Sequence, residues 1–260
     1  MALTIDFSGR VALVTGGTKG VGLGIARRFA DAGASVVVCA RSIPDDLPAG
    51  WDSVAVDLHD PAAAKAMIDE VVARHGSLDI LVNNAGGAPA ADTSTASPNF
   101  SRKIVGLNFF AAMWCSEQAN VHMQKQAGGG AIVNIGSVSG ERPAPTAAAY
   151  GAAKAALSNY TRTTGQEWVP KVRVNMVTVG MVRTELVHQW YGDDENIRKT
   201  ESRIPIGRLA LPTDVGDACV FLASPLASYV SGAALLVHGG GEWPAFLETP
   251  YHDGARGSDR

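Results

Sequence analysis

The chain is poor in cysteine, with Cys39, Cys115 and Cys219 far apart and none in a CxxC pair. An odd number of distant cysteines argues against a disulfide framework and for reduced thiols buried in a cytoplasmic protein. It also lacks an excess of positive charge. Its 22 Lys and Arg against 25 Asp and Glu leave a net charge of −3, which speaks against nucleic acid or an anionic membrane as partner. No run of 18 apolar residues occurs, so no membrane-spanning helix is expected. The first ten residues carry Asp6 and lack the basic start and apolar stretch of a signal peptide. The six histidines follow no HExxH or other ligand spacing, and no metal site is expected.

What the 260 residues do contain is a regular alternation of short β-branched runs with helical patterns. Strands are expected over residues 10–14, 35–40, 53–58, 78–83, 131–136, 173–179 and 233–237. Helices are expected over 21–32, after Asp60 and Pro61 as far as Gly76, over 100–126 and 147–168, and near 214–223. Residues 88–98 read as a loop, and residues 242–260 as an irregular tail. This alternation predicts right-handed crossovers and a Rossmann-type doubly wound parallel sheet covered on both faces, in one domain spanning the chain.

Between the first strand and its helix lies Thr15-Gly16-Gly17-Thr18-Lys19-Gly20-Val21-Gly22. Glycines there let the backbone turn tightly and approach a ligand, while the helix N-terminus offers N–H groups and partial positive charge, so Gly16, Thr18, Lys19, Gly20 and Val21 are candidates to cradle a pyrophosphate. The second strand ends in Val38-Cys39-Ala40-Arg41-Ser42, without the acid that would accept hydrogen bonds from adenosine ribose hydroxyls. Arg41 and Lys19 could clamp a 2′-phosphate instead, with Ser42 alongside, which favours NADP over NAD.

Tyr150 and Lys154 are spaced i, i+4 in a helical segment and share a face, with Ser137 just past a strand thirteen residues earlier. A nearby ammonium favours a phenolate, so Lys154 is expected to lower the Tyr150 pKa and make it a proton donor or acceptor near neutrality. Ser137 could hydrogen-bond a carbonyl oxygen as charge develops on it.

With these residues in view, the chain resembles the short-chain dehydrogenase/reductases from about Ser8 to Gly241. The Thr15–Gly22 loop is similar to the family's TGxxxGxG, and Asn83-Asn84-Ala85-Gly86 to its NNAG, which steadies the sheet and lies against the cofactor through Asn84 and Gly86. The resemblance implies adenine contact for Asp57, with Leu58 beside it, and a water of the proton relay held by Asn108. It implies catalysis by Ser137, Tyr150 and Lys154, with Lys154 also on the nicotinamide ribose. The segments Arg173–Asn175 and Gly180 through Thr184, with Val182 between, resemble the part that contacts the carboxamide. Val179 and His238 stand where the family commonly has proline and aspartate.

The expected activity is interconversion of a ketone and a secondary alcohol by hydride transfer with NADP(H). Met181, Val182, Leu186, Val187, Trp190 and Tyr191 suggest an apolar lid and a hydrophobic substrate, and His188 in the same loop is a minor candidate for substrate contact. Asp193, Asp194 and Glu195 read as a solvated turn. A 3-oxoacyl-thioester reductase is the alternative, and a non-catalytic dinucleotide-binding regulator is disfavoured by the complete Asn108, Ser137, Tyr150 and Lys154 set. Small residues on the helices over 100–126 and 147–168, among them Ala152, Ala155, Ala156 and Ser158, permit close helix packing, and the resemblance implies a homotetramer. Trp243, Phe246, Leu247 and Tyr251 make the tail apolar enough to expect it against a neighbouring subunit or the substrate cleft.

Overall fold

Strands buried on both faces need runs of branched apolar residues, and this chain supplies them as VALVT, SVVVCA, ILVN and VRVNMVTV. In the computed structural model, which describes residues 4–244, they form a seven-stranded sheet with β1 (Val11–Thr15), β2 (Ser35–Ala40), β3 (Asp52–Ala55), β4 (Ile80–Asn83), β5 (Gly130–Ser137), β6 (Val172–Val179) and β7 (Ala234–Val237). All neighbours are parallel, in the order β3-β2-β1-β4-β5-β6-β7. The order turns back between β1 and β4, so a crevice opens beyond their carboxyl ends, at Thr15 and Asn83.

Alternate residues of each strand serve two cores. On one face Val14, Val36, Val38, Val82 and Val177 pack against Ile25 and Phe29 of α1 (Gly20–Asp31) and Val215 and Leu222 of α8 (Pro212–Ala223). On the other, Leu13, Val37, Leu81 and Ile132 meet Met67, Ile68 and Val71 of α2 (Pro61–His75) and Cys115 and Met123 of α4 (Ala111–Met123). Helix α5 (Ala148–Glu167) adds Leu157, which packs with Met176. The α1 and α8 backbones cross closely because Gly24 lies there: a Cβ on it would stand 2.3 Å from Pro212 Cβ. Polar groups also tie the layers. Asn83 donates to Ser116 Oγ and to Asn134 Oδ1, both at 2.8 Å, and Asn134 donates to Thr161 Oγ1 at 2.9 Å.

Helix α2 has the ends its sequence predicts, with Asp60 accepting from Ala62 N at 2.8 Å, Pro61 at its first position and Gly76 closing it at φ 80°. Three expectations fail. The helix expected over 100–126 is divided into α3 (Pro98–Val105), a π-helical turn (Gly106–Phe110) and α4. The Asn108 side chain explains the break: its Nδ2 donates to Ile104 O at 2.9 Å, the carbonyl that the Asn108 backbone N–H would use in an α-helix. Strand β3 ends at Ala55 instead of Leu58 because Asp57 starts a turn, accepting from His59 N at 3.0 Å through its carboxylate and from Asp60 N at 3.2 Å through its carbonyl. The acidic run is no loose turn either. Asp193 accepts from Asn196 N and caps α7 (Asp194–Glu201), whose first turn holds Asp194 and Glu195 where the helix dipole favours them.

The three cysteines are free and buried. Among the described residues no helix is long and apolar enough to cross a membrane, and no group of three or more His, Cys, Asp and Glu could hold a metal ion. Phe246, Leu247 and Tyr251 lie outside the described residues.

Candidate active site

A cleft of about 730 Å³ runs along the carboxyl ends of β1, β4, β5 and β6, within the usual size of a small-molecule site. One end is the glycine loop. Gly16 has φ 62°, and a Cβ on Gly22 would stand 2.2 Å from Gly16 O, so the loop folds only with glycine there. Lys19 at the N-cap of α1 gives no side-chain acceptor, and Gly20, Val21 and Gly22 of the first turn line the cleft. That N-terminus is therefore open to an anion. Asn84 holds the loop from the far side, its Nδ2 donating to Thr15 O at 2.9 Å and to Gly16 O at 3.2 Å, while Thr15 Oγ1 accepts from Asn84 N and Ala85 N.

Lys19, Arg41, Asp57 and Leu58 border the same end, and neither cation forms an ion pair among the described residues. Asp57 binds the ring Nδ1 of His59 at 3.0 Å, and its carboxyl is held below the usual range chiefly by the His59 backbone and side-chain hydrogen bonds, with Arg41 adding to them. A cradle of backbone N–H groups with Lys19 and Arg41 at its border fits the phosphates of a dinucleotide.

Ser137 ends β5, and Tyr150 and Lys154 project from the first turns of α5; all three line the middle of the cleft. Lys154 is only 5% exposed, its ammonium donates to Ile135 O at 2.8 Å, and it stands 5.6 Å from the centre of the Tyr150 ring. Burial lowers its pKa to about 8. Tyr150 departs from the expectation. Burial pushes its pKa up from the ordinary phenol range, opposed by a hydrogen bond with Ser137, so the phenol stays protonated at neutral pH. Gly86 makes room beside the lysine: a Cβ there would lie 2.5 Å from Asn108 Oδ1 and 3.4 Å from Lys154 Nζ.

The remaining sequence candidates divide. Thr18, Gly86, Gly180, Val182 and Thr184 line the cleft, whereas Ser42 lies outside it. The Asn108 side chain sits beneath the cleft, donating to Gly87 O and accepting from Gly87 N, and its neighbour Leu107 reaches the wall. Arg173 and Asn175 do not line the cleft. Arg173 donates to the carbonyls of Leu222, Ala223, Ser224 and Val230, closing the C-terminal end of α8, and Asn175 donates to Val230 O. His188 bonds Gly192 O and stays out of the cleft, as do the ion pairs of His75 with Asp52 and His122 with Asp69. Sequence reasoning missed Ser139, Arg142, Ala147 and Glu185, which also line it. Ala147 precedes Tyr150 by three residues at the start of one helix; Ser139 stands in a single 3-10 turn and Arg142 and Glu185 in loops, none with a periodic signal.

Beyond β6 the wall is mostly apolar, Thr184 and Glu185 being its polar members. Met181, Leu186, Trp190 and Tyr191 line it, the last two in α6 (Val187–Tyr191), over a small core of Val187, Ile197, Ile204 and Leu209. Trp190 is 55% exposed.

A family model described as Enoyl-(Acyl carrier protein) reductase matches residues 16–242, from the glycine loop to just past β7. The chain belongs to the short-chain dehydrogenase/reductase family. Cis-4-hydroxycyclohexanecarboxylate dehydrogenase of Sinomonas cyclohexanicum is 38% identical, over 90% of this chain and 97% of that protein. The 3alpha-hydroxysteroid dehydrogenase of Mediterraneibacter gnavus is 35% identical over 88% and 96%. Among solved structures, a candidate short-chain alcohol dehydrogenase of Sinorhizobium meliloti superposes with a TM-score of 0.84 at 34% identity, covering 92% of this chain and 98% of that one. As a family member the protein is an oxidoreductase of alcohol and carbonyl groups that uses a nicotinamide dinucleotide.

Proposed function

We propose that the protein is an NADP(H)-dependent enzyme that interconverts a hydrophobic ketone and its secondary alcohol, as one dinucleotide-binding domain acting in a cytoplasmic homotetramer. The observation that carries the reading is the convergence of Ser137, Tyr150 and Lys154 on the cleft that the glycine loop opens. The cofactor supplies or takes the hydride; the chain handles binding and the proton. Ser137 donates to the carbonyl oxygen, and the Tyr150 hydroxyl gives that oxygen its proton as charge builds there. The raised Tyr150 pKa suits this role, since the phenol begins protonated. Lys154, held by Ile135 O, keeps a positive charge near the phenolate left behind. Asn108 positions Gly87 and the loop beneath.

Arg41 and Lys19, both without ion-pair partners among the described residues, support NADP over NAD. The apolar wall of Met181, Leu186, Trp190 and Tyr191 supports a hydrophobic substrate, and relatives named for cyclohexane and steroid alcohols point the same way. The exposed Ala152 and Ala155 of α5, with Tyr229, Leu235 and Leu236 at the β7 edge, leave faces on which copies could pack. The test follows NADPH consumption against cyclic ketones, steroid ketones, acyl thioesters and quinones. The highest kcat/KM is expected with an alicyclic or steroid ketone; a highest value with an acyl thioester would install the thioester-reductase reading instead.

A further inference from the structure

Four cations line the cleft, and three have an account. Lys19 and Arg41 border the end with the glycine loop, and Lys154 is taken up by Ile135 O. Arg142 is left, on the stretch of the wall that holds Ser139 and Ala147. It does not hang from a loose loop. Its backbone N–H and that of Glu141 both donate to Val138 O at 3.0 Å, and Thr178 Oγ1 donates to the Glu141 carboxylate at 3.1 Å. The turn is pressed on α5 so closely that a Cβ on Gly140 would lie 2.9 Å from Ala155 N. The guanidinium is thus carried on a turn fixed to the helix that bears Tyr150 and Lys154. One terminal nitrogen donates to Pro143 O at 2.9 Å, and the other pairs with the carboxylate of Glu242. A guanidinium has five N–H donors, so these two bonds leave capacity for a second carboxylate.

We propose that Arg142 recognises a carboxylate on the substrate, remote from the reacting carbon, and that Glu242 holds its place until substrate arrives. This rests on the reading of the cleft as a ketone and alcohol site, and it names the substrate class as an oxo- or hydroxy-carboxylic acid with an apolar body. The apolar wall takes the ring or chain, Ser137 and Tyr150 meet the carbonyl, and Arg142 fixes the far end. Planar fork geometry lets Arg142 accept the exchange of one carboxylate for another. A neutral substrate gains nothing from it.

The test separates binding from turnover. Calorimetric titration of the full-length protein loaded with NADP⁺ compares cyclohexanecarboxylate with its near-isostere cyclohexanecarboxamide. The carboxylate should bind about tenfold more tightly, Arg142→Gln should erase the difference, and Arg142→Lys should restore part of it. Glu242→Gln should strengthen carboxylate binding severalfold by removing the competitor; a purely structural clasp would give no gain. Equal binding of acid and amide, no binding of either, or a preference that survives Arg142→Gln would overturn the proposal. Rates with 4-oxocyclohexanecarboxylate and its amide test the other layer. Turnover of both without preference counts against Arg142 alone, whereas carboxylate binding without turnover of any ketone counts against the catalytic reading alone.

Discussion

The two halves of the cleft are built by opposite means. At the glycine loop, backbone does the work: Gly22 stands so near Gly16 O that no side chain fits, and Asn84 spends its amide on the Thr15 and Gly16 carbonyls. Past β6, side chains do the work: Met181, Leu186, Trp190 and Tyr191 form a wall over a separate small core, and any of several apolar residues would fill the same space. The first half therefore tolerates little change. The second can drift with the substrate. Tyr150 and Lys154 stand at the seam.

The seam gives the largest expected effect. Tyr150→Phe keeps the ring and removes the proton donor, so kcat should fall roughly a thousandfold, while cofactor affinity, measured by fluorescence titration, should hold within about twofold. A variant that keeps a large share of its kcat would break the division of labour.

Next, Lys154→Met should raise the stability of the fold by a modest, pH-dependent margin. Holding this lysine at about 8 instead of 10.5 costs about 3 kcal/mol at neutral pH. The loss of its bond to Ile135 O offsets part of that, since an orphaned carbonyl costs about 1–3 kcal/mol. Because the charged form is the disfavoured one in the folded state, the penalty is full below pH 8 and fades as pH rises towards 10.5. Melting curves at pH 7 and 9.5 should show the variant more stable than the parent at pH 7, by a margin that shrinks at pH 9.5, with turnover lost at both. A variant less stable at pH 7, or a margin independent of pH, would show that the lysine is not paying for its position.

Smallest is Trp190→Ala on the apolar wall. Removing a half-exposed indole ring should cost about 1 kcal/mol of substrate contact, raising KM roughly fivefold, with cofactor affinity unchanged. A shift in cofactor affinity of the same size would join the two halves that the structure keeps apart.

Legibility follows the same division. The sheet, the crossovers and the ends of α2 could be read because branched runs, Asp60-Pro61 and Gly76 each have few structural uses. The meeting of Ser137, Tyr150 and Lys154 at one cleft could be read because their spacing is set by one strand end and one helix face. The π-turn was hidden, since Asn108 competes for Ile104 O with its own backbone and composition carries no sign of that. Arg173 and Asn175 misled because residues adjacent to a binding segment in sequence face the other way, onto the end of α8. The direction of the Tyr150 pKa could not be read because burial, invisible in the spacing of two residues, outweighs the hydrogen bond with Ser137. Arg142 was missed because it sits on a loop whose position only the packed α5 fixes.

The account turns on what Arg41 and Lys19 hold, and kcat/KM for NADPH and NADH on the unmodified protein with one cyclic ketone tests it most directly. Two charge-assisted contacts worth about 1.5–3 kcal/mol each, discounted for exposure, predict roughly a hundredfold preference for NADPH. Equal values, or a preference for NADH, would contradict it and leave both side chains as surface cations.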